Sequence, residues 1–242
     1  MIKFKKAILI IHGLAGGTYD EEILANYLQL NNKFDVYSFT LPGHDVKIRQ
    51  KATCEAWIKE SEKQLEFLIN NGYKNIYVIG HSMGGVIACY LASKYKEVKR
   101  LVLAAPAFSH IASAEEGGLL NATLKCPNLI KSYSSNEFFT RIRKLPITAL
   151  SEFMKLIKKY QDTPLDINIP VLLLQGDMDQ LVPFSSSEKV FDKFPSKKKV
   201  FVKVKGYYHD LFKGKKVQLL CREVEKFLES WKVLIKVERK EI

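Results

Sequence analysis

The sequence predicts an α/β protein built on a mostly parallel, doubly wound sheet, and two patterns carry that expectation. Short aliphatic or β-branched runs recur along the chain, and they are near-continuously apolar rather than alternating, as strands covered by helices on both faces must be. Between them lie longer amphipathic segments entered through glycine-bearing turns, which is the strand–helix alternation of a wound sheet.

The first run, Ala7–Ile11, is five residues long and ends in His12-Gly13. It therefore suits a strand feeding a tight loop and lacks the small-residue cleavage site of a signal peptide. Glu21–Leu30 reads as a helix, Asp35–Thr40 as the second strand and Thr53–Asn70 as a surface helix. In that helix Trp57, Leu65, Leu68 and Ile69 form one apolar stripe among lysines and glutamates. Asn75–Ile79 and Val98–Ala104 are the next strands, with a helix over Met83–Lys94 between them. Val171–Gln175 and Val200–Val204 complete the strands, and Ser185–Lys193 and Lys215–Trp231 the helices. The rhythm breaks from Pro106 to Leu165, where no strand candidate occurs. The clearest helical piece there is Pro146–Tyr160, with Ile147, Leu150, Phe153, Met154 and Ile157 at helical spacing and Pro146 at a first-turn position. A stretch that long between consecutive strands is read as an inserted helical cap over 106–165, with 1–105 and 166–242 forming the core. The tail beyond Trp231, KVLIKVERKEI, alternates in polarity and is assigned to no element.

A hydrophobic fraction of 47% supplies a sizeable core, while 38 Lys and Arg against 26 Asp and Glu leave a net charge of +12. The excess is scattered lysine, as at Lys3, Lys5, Lys6, Lys197–Lys199, Lys213, Lys215 and Lys216. Nucleic-acid binding calls instead for arginines and aromatics clustered on one element. The expected partner is a small molecule, with no nucleic acid and only weak peripheral attraction to anionic membranes. Cys54, Cys89, Cys126 and Cys221 form no C-x-x-C pair, so free thiols and a reducing, cytoplasmic location are expected. No run approaches the length of a membrane span. No metal-ligand cluster, dinucleotide fingerprint or P-loop is present, so neither a metal nor a cofactor is expected.

The chemistry concentrates in Gly80-His81-Ser82-Met83-Gly84. A G-x-S-x-G pattern between a strand and a helix is a turn tight enough to hold a serine clear of the backbone at the carboxyl edge of a sheet. Ser82 is the candidate nucleophile, and the Met83 N–H at the helix start favours an anion beside it. The loop His12-Gly13-Leu14-Ala15-Gly16-Gly17 closes the first strand at the same edge and offers the Leu14 N–H as a second oxyanion donor. A serine hydroxyl needs a base, and the chain has five histidines. His12 and His81 lie inside the two glycine turns and His44 in a loop, placements that suit bracing. His110 opens the insertion, a poor platform for a base. His209, in GYYHDL just beyond the last strand, is the candidate. The acid that orients it falls in LLLQGDMDQLVP, where Asp177 and Asp179 both qualify and one of them suits a turn.

Together HGLAGG, LPGHD, GHSMGG, GDMDQLVP and GYYHD resemble the α/β-hydrolase superfamily over nearly the whole chain. The resemblance is to small carboxylesterases and monoacylglycerol-lipase-like serine hydrolases, in their order of serine, acid, histidine. That resemblance implies a G-x-x-D-x-x-V-P segment at the acid, matched by Gly176, Asp179, Val182 and Pro183, and so names Asp179 over Asp177. It implies an acyl-enzyme on Ser82 and a sheet of about six strands, because the first strand begins too near residue 7 for the usual N-terminal hairpin. Asp45 departs from the L-P-G-H-G that such proteins often carry. The insertion, where Phe108, Leu119, Leu120, Phe138, Phe139, Phe153 and Met154 supply apolar surface, is expected to roof the site. Phe108, Phe138, Phe139, Phe153 and Met154 are the candidate substrate contacts. The implied reaction is hydrolysis of short- to medium-chain acyl esters or a monoacylglycerol. An acyl thioesterase or acyltransferase with the same triad is the alternative, and a non-catalytic binding protein on this fold a further one.

Overall fold

The computed structural model describes residues 6–30, 32–44, 51–108, 148–179, 181–230 and 236–242. Strands β1 (Lys6–Ile11), β2 (Phe34–Phe39), β3 (Ile76–His81), β4 (Val98–Ala104), β5 (Val171–Gly176), β6 (Lys198–Val204) and β7 (Lys236–Glu241) form one sheet. Helices α1 (Glu22–Leu30), α2 (Cys54–Asn70), α3 (Met83–Lys94), α4 (Thr148–Tyr160), α5 (Phe184–Lys193) and α6 (Val217–Glu229) cover it. The strand order is β2-β1-β3-β4-β5-β6-β7, and each pairing is parallel.

The apolar runs are continuous because successive residues serve opposite faces. Leu9, Val78, Leu103 and Leu173 join one buried cluster with α2, α3, α4 and α5. Ile8, Ile79, Val102 and Leu174 join the other with α1 and α6. The chain leaves β1 toward β2 on one side and returns to β3 on the other, so the order reverses between β1 and β3. In wound sheets the crevice at the carboxyl ends of such a pair is where ligands bind, and here both glycine turns emerge from it.

Two long cations bind the far ends of helices to the sheet. Arg100 on β4 donates to the Phe227 and Ser230 carbonyls at 2.6 and 2.5 Å, closing the C-terminus of α6. Lys199 on β6 donates to the Phe191 and Phe194 carbonyls at 2.9 and 2.7 Å, closing α5. Each satisfies carbonyls that a helix end leaves without internal donors.

Two findings sharpen the sequence reading. Among the described residues the sheet has seven strands rather than about six, because the unassigned tail supplies β7. This edge strand, KVERKE, escapes an apolar-run criterion since charged side chains line it. Arg239 holds it to α5 through Glu188 at 3.1 Å and Asp192 at 2.7 Å. The second concerns the insertion. Ala149, Phe153, Leu156, Ile157 and Tyr160 of α4 lie in the same buried cluster as the strands, so this helix packs as part of the core. Residues 109–147 lie outside the described residues, and with them Cys126, His110, Leu119, Leu120, Phe138 and Phe139, as does Asp45.

Replacing Arg100 with Met should leave the Ser230 carbonyl without its side-chain donor and the Phe227 carbonyl with the Ser230 hydroxyl alone. Urea unfolding is expected to show a loss of about 1–3 kcal/mol with the m-value unchanged.

Candidate active site

The turn from β3 to α3 takes one residue. Ser82 has φ 53° and ψ −118°, a backbone region that costs a non-glycine residue about 1–3 kcal/mol and persists only when its surroundings over-determine it. They do. The Ser82 N–H donates to the Ala104 carbonyl at 2.9 Å, and its carbonyl accepts from Gly85 and Ala107 N–H at 3.0 and 3.1 Å. A Cβ on Gly84 would lie 2.2 Å from the Ile11 carbonyl oxygen, so glycine there lets α3 press onto β1. Serine at a helix start ordinarily caps it with the hydroxyl; Ser82 does not. Its side chain is half-buried among fully buried neighbours.

The loop after β1 closes against this turn. A Cβ on Gly13 would stand 3.0 Å from Ser82 Cβ and 3.6 Å from its Oγ, so Gly13 backbone abuts the serine. His12 Nδ1–H donates to the Gly13 carbonyl at 2.7 Å, and the Leu41 N–H donates to Nε2 at 2.9 Å. The pair of partners assigns one neutral tautomer. Burial, with His44 nearby, pushes His12 down to about 3, so it stays neutral. Holding the Gly13 carbonyl also sets the Leu14 N–H on the opposite edge of the same planar peptide.

At the ends of β5 and β6 the two aspartates separate. Asp177 Oδ1 accepts from Gly206 N–H at 2.7 Å, a turn contact. Asp179 Oδ1 accepts from the Leu181 and Val182 N–H groups at 2.9 and 3.0 Å. Its Oδ2 accepts from His209 Nδ1 and Gln175 Nε2, both at 2.8 Å. Burial works against the Asp179 charge, but His209 and these donors hold its carboxyl below the usual range. Gln175 is a residue that sequence reasoning missed, since an amide in a hydrophobic strand carries no motif.

Glu21 is the second omission. From the start of α1 it places Oε1 2.8 Å from His81 Nδ1, with both side chains buried. His81 Nε2 lies 3.2 Å from the His209 carbonyl oxygen, and the two rings sit 4.9 Å apart. Asp20 binds the same loops: Oδ2 accepts from Gly17 N–H at 3.1 Å and Oδ1 pairs with Lys213 at 2.6 Å. His44 braces its loop through the Pro42 carbonyl at 3.2 Å. Phe108 and Phe153 lie in the core cluster and Met154 packs against it.

Comparison with known proteins accords with this geometry. A family model described as "alpha/beta hydrolase fold" matches residues 6–123, and one described as "Serine aminopeptidase, S33" matches residues 110–216. The chain has the α/β-hydrolase fold. Among relatives, a carboxylesterase of Bacillus subtilis (strain 168) is 24% identical over 93% of each chain. A thermostable monoacylglycerol lipase of Bacillus sp. (strain H-257) is 25% identical over 84% of this chain and 82% of its own. The solved monoacylglycerol lipase of Paleococcus ferrophilus superposes with a TM-score of 0.71 at 19% identity, covering 92% of this chain and 93% of that one. In this hydrolase no group of three or more His, Cys, Asp or Glu among the described residues is placed to hold a metal ion. No helix among them is long and apolar enough to cross a membrane.

The hydrolase also carries a charge pair beside its site. Burial disfavours the His81 cation, yet the Glu21 contact outweighs that and raises His81 to about 9. Burial raises Glu21 as well, so the pair keeps its proton past neutrality. With the folded value above the unfolded one, the His81 contribution is full below about pH 6.5 and fades as pH climbs through about 9. Wild-type stability should therefore fall across that window by on the order of 1–3 kcal/mol, and Glu21→Gln should show a flatter profile in urea unfolding.

Proposed function

We propose that this hydrolase cleaves carboxylic esters through an acyl-enzyme on Ser82, with His209 as general base and Asp179 as the acid that orients it. The 2.8 Å contact between His209 Nδ1 and Asp179 Oδ2 carries the reading. With Nδ1 so engaged, Nε2 is the nitrogen left to take the Ser82 proton. Oγ then attacks the ester carbonyl, and the oxyanion is received by the N–H groups of Leu14 and Met83. Protonated His209 returns its proton to the leaving alcohol. Water, deprotonated by the same nitrogen, then releases the acid and restores Ser82.

The substrate class we favour is a short- to medium-chain acyl ester or a monoacylglycerol. Relatives named carboxylesterase and monoacylglycerol lipase support it, as does the apolar content of the 106–165 insertion, of which we assign the part before α4 as the cap over Ser82. Phe138 and Phe139 are its proposed acyl contacts, and Phe108, Phe153 and Met154, in or against the core cluster, are proposed contacts from the core side.

Turnover of p-nitrophenyl esters from acetate to laurate tests the reaction. Ser82→Ala should lose at least about a thousandfold in kcat/KM and all labelling by a fluorophosphonate probe. Equal slowness of wild type and Ser82→Ala would refute the assignment. An acyl-CoA turned over faster than the matching oxygen ester would move it to a thioesterase.

Asp179→Ala should lower kcat by about a thousandfold or more, whereas Asp177→Ala is expected to stay within about threefold and to act on stability. Steady-state kinetics on one ester separates the two aspartates.

A further inference from the structure

Two polar side chains that acyl transfer leaves unused lie beneath the acid loop: Gln175 on β5 and Ser187 on α5, both wholly buried. Gln175 Nε2 donates to Asp179 Oδ2 at 2.8 Å and approaches the Val182 and Gly176 carbonyls at 3.2 and 3.3 Å. Three acceptors surround that end of the amide, so neither the amide oxygen nor a carboxylate belongs there. On the other side Oε1 accepts from Ser187 Oγ at 2.5 Å. The amide is thereby held in one orientation by two elements of the core.

The consequence falls on Asp179. Backbone N–H groups of Leu181 and Val182 fix Oδ1, while Oδ2 serves His209 and Gln175 together. Because the carboxylate is planar, the two donors to Oδ1 already set its plane; what Gln175 adds is a second donor on Oδ2, the oxygen that faces the ring. A second donor also draws negative charge away from the oxygen that faces Nδ1.

We propose that Gln175, held by Ser187, is the positioning residue of the acid–base pair: acting through Asp179, it shares Oδ2 with His209 and limits the pull of that oxygen on the ring. This role rests on the reading of Ser82, His209 and Asp179 as the reacting set. The other charged groups near His209 stay unchanged when Gln175 is altered. They are His81 with Glu21 behind it, and Asp210 with Lys213 at 3.7 Å. Asp177 turns instead to Gly206 and Lys203.

Gln175→Met keeps the side-chain length and removes both amide groups. Its kcat should fall about ten- to a hundredfold, the equivalent of one hydrogen bond to a charged group, with KM within about twofold. The acidic limb of kcat/KM should move to higher pH, because Oδ2 with one donor fewer holds the His209 imidazolium more tightly. Fluorophosphonate titration should still count every site. In an Asp179→Ala background the same change should alter the rate by less than about twofold, since its route of action is gone. Equal losses in both backgrounds, or an acidic limb that does not move, would overturn the proposal. Ser187→Ala should shift the limb in the same direction by less. If Gln175→Met does not fold, an unmoved limb in Ser187→Ala overturns the proposal by itself. An Asp179→Ala enzyme as fast as wild type is a different result, striking the acid assignment beneath it.

Discussion

The site depends on how the chain leaves β3. A strand that must become a helix within one residue cannot do so in ordinary backbone geometry, and Ser82 takes the unfavourable conformation with φ 53°. Backbone bonds to Ala104, Gly85 and Ala107 hold it there, so the strain is carried by β4 and its continuation rather than by the turn. The helix that follows then runs close enough to β1 that only hydrogen fits at Gly84. That closeness brings the loop after β1 against the serine. The placement of Ser82, the helix N-terminus and the glycine loop are three consequences of one packing contact at the switch point of the sheet.

A second level of order comes from polar groups that hold the loops to one another. Asp20 reaches Lys213 in the histidine loop, and Glu21 reaches His81, whose other nitrogen faces the His209 carbonyl. Consecutive residues of one loop thus bind the His209 loop and the elbow. The same residue type behaves in opposite ways within this small region. His12, whose burial outweighs the pull of Asp20, is held neutral, whereas His81, buried against Glu21, is raised. Burial is common to both; the neighbouring charge decides the sign.

The acid loop applies the same logic to Asp179. Its carboxylate is buried, yet four donors from β5, the loop and His209 keep it ionised. Placing a charge there is costly unless every lone pair facing the protein is met. That requirement explains why an otherwise apolar strand ends in glutamine.

By itself the sequence determined the strand–helix rhythm, the elbow and the two loops, since periodicity and glycine placement are local properties of the chain. Ser82 and His209 stood out as candidates for the same reason: each sits at the end of a recognisable strand. Asp177 and Asp179 stood two residues apart with equal claim from spacing, and the resemblance alone named one. Only the tertiary structure separates them by position, because the difference is which carboxylate points at a ring 30 residues away in the chain. Glu21, Gln175 and Ser187 were invisible until packing set them beside His81 and Asp179, and β7 was hidden by its charges until β6 offered it an edge. Local pattern tells where a backbone turns; what a buried polar side chain is for depends on which distant group it must satisfy.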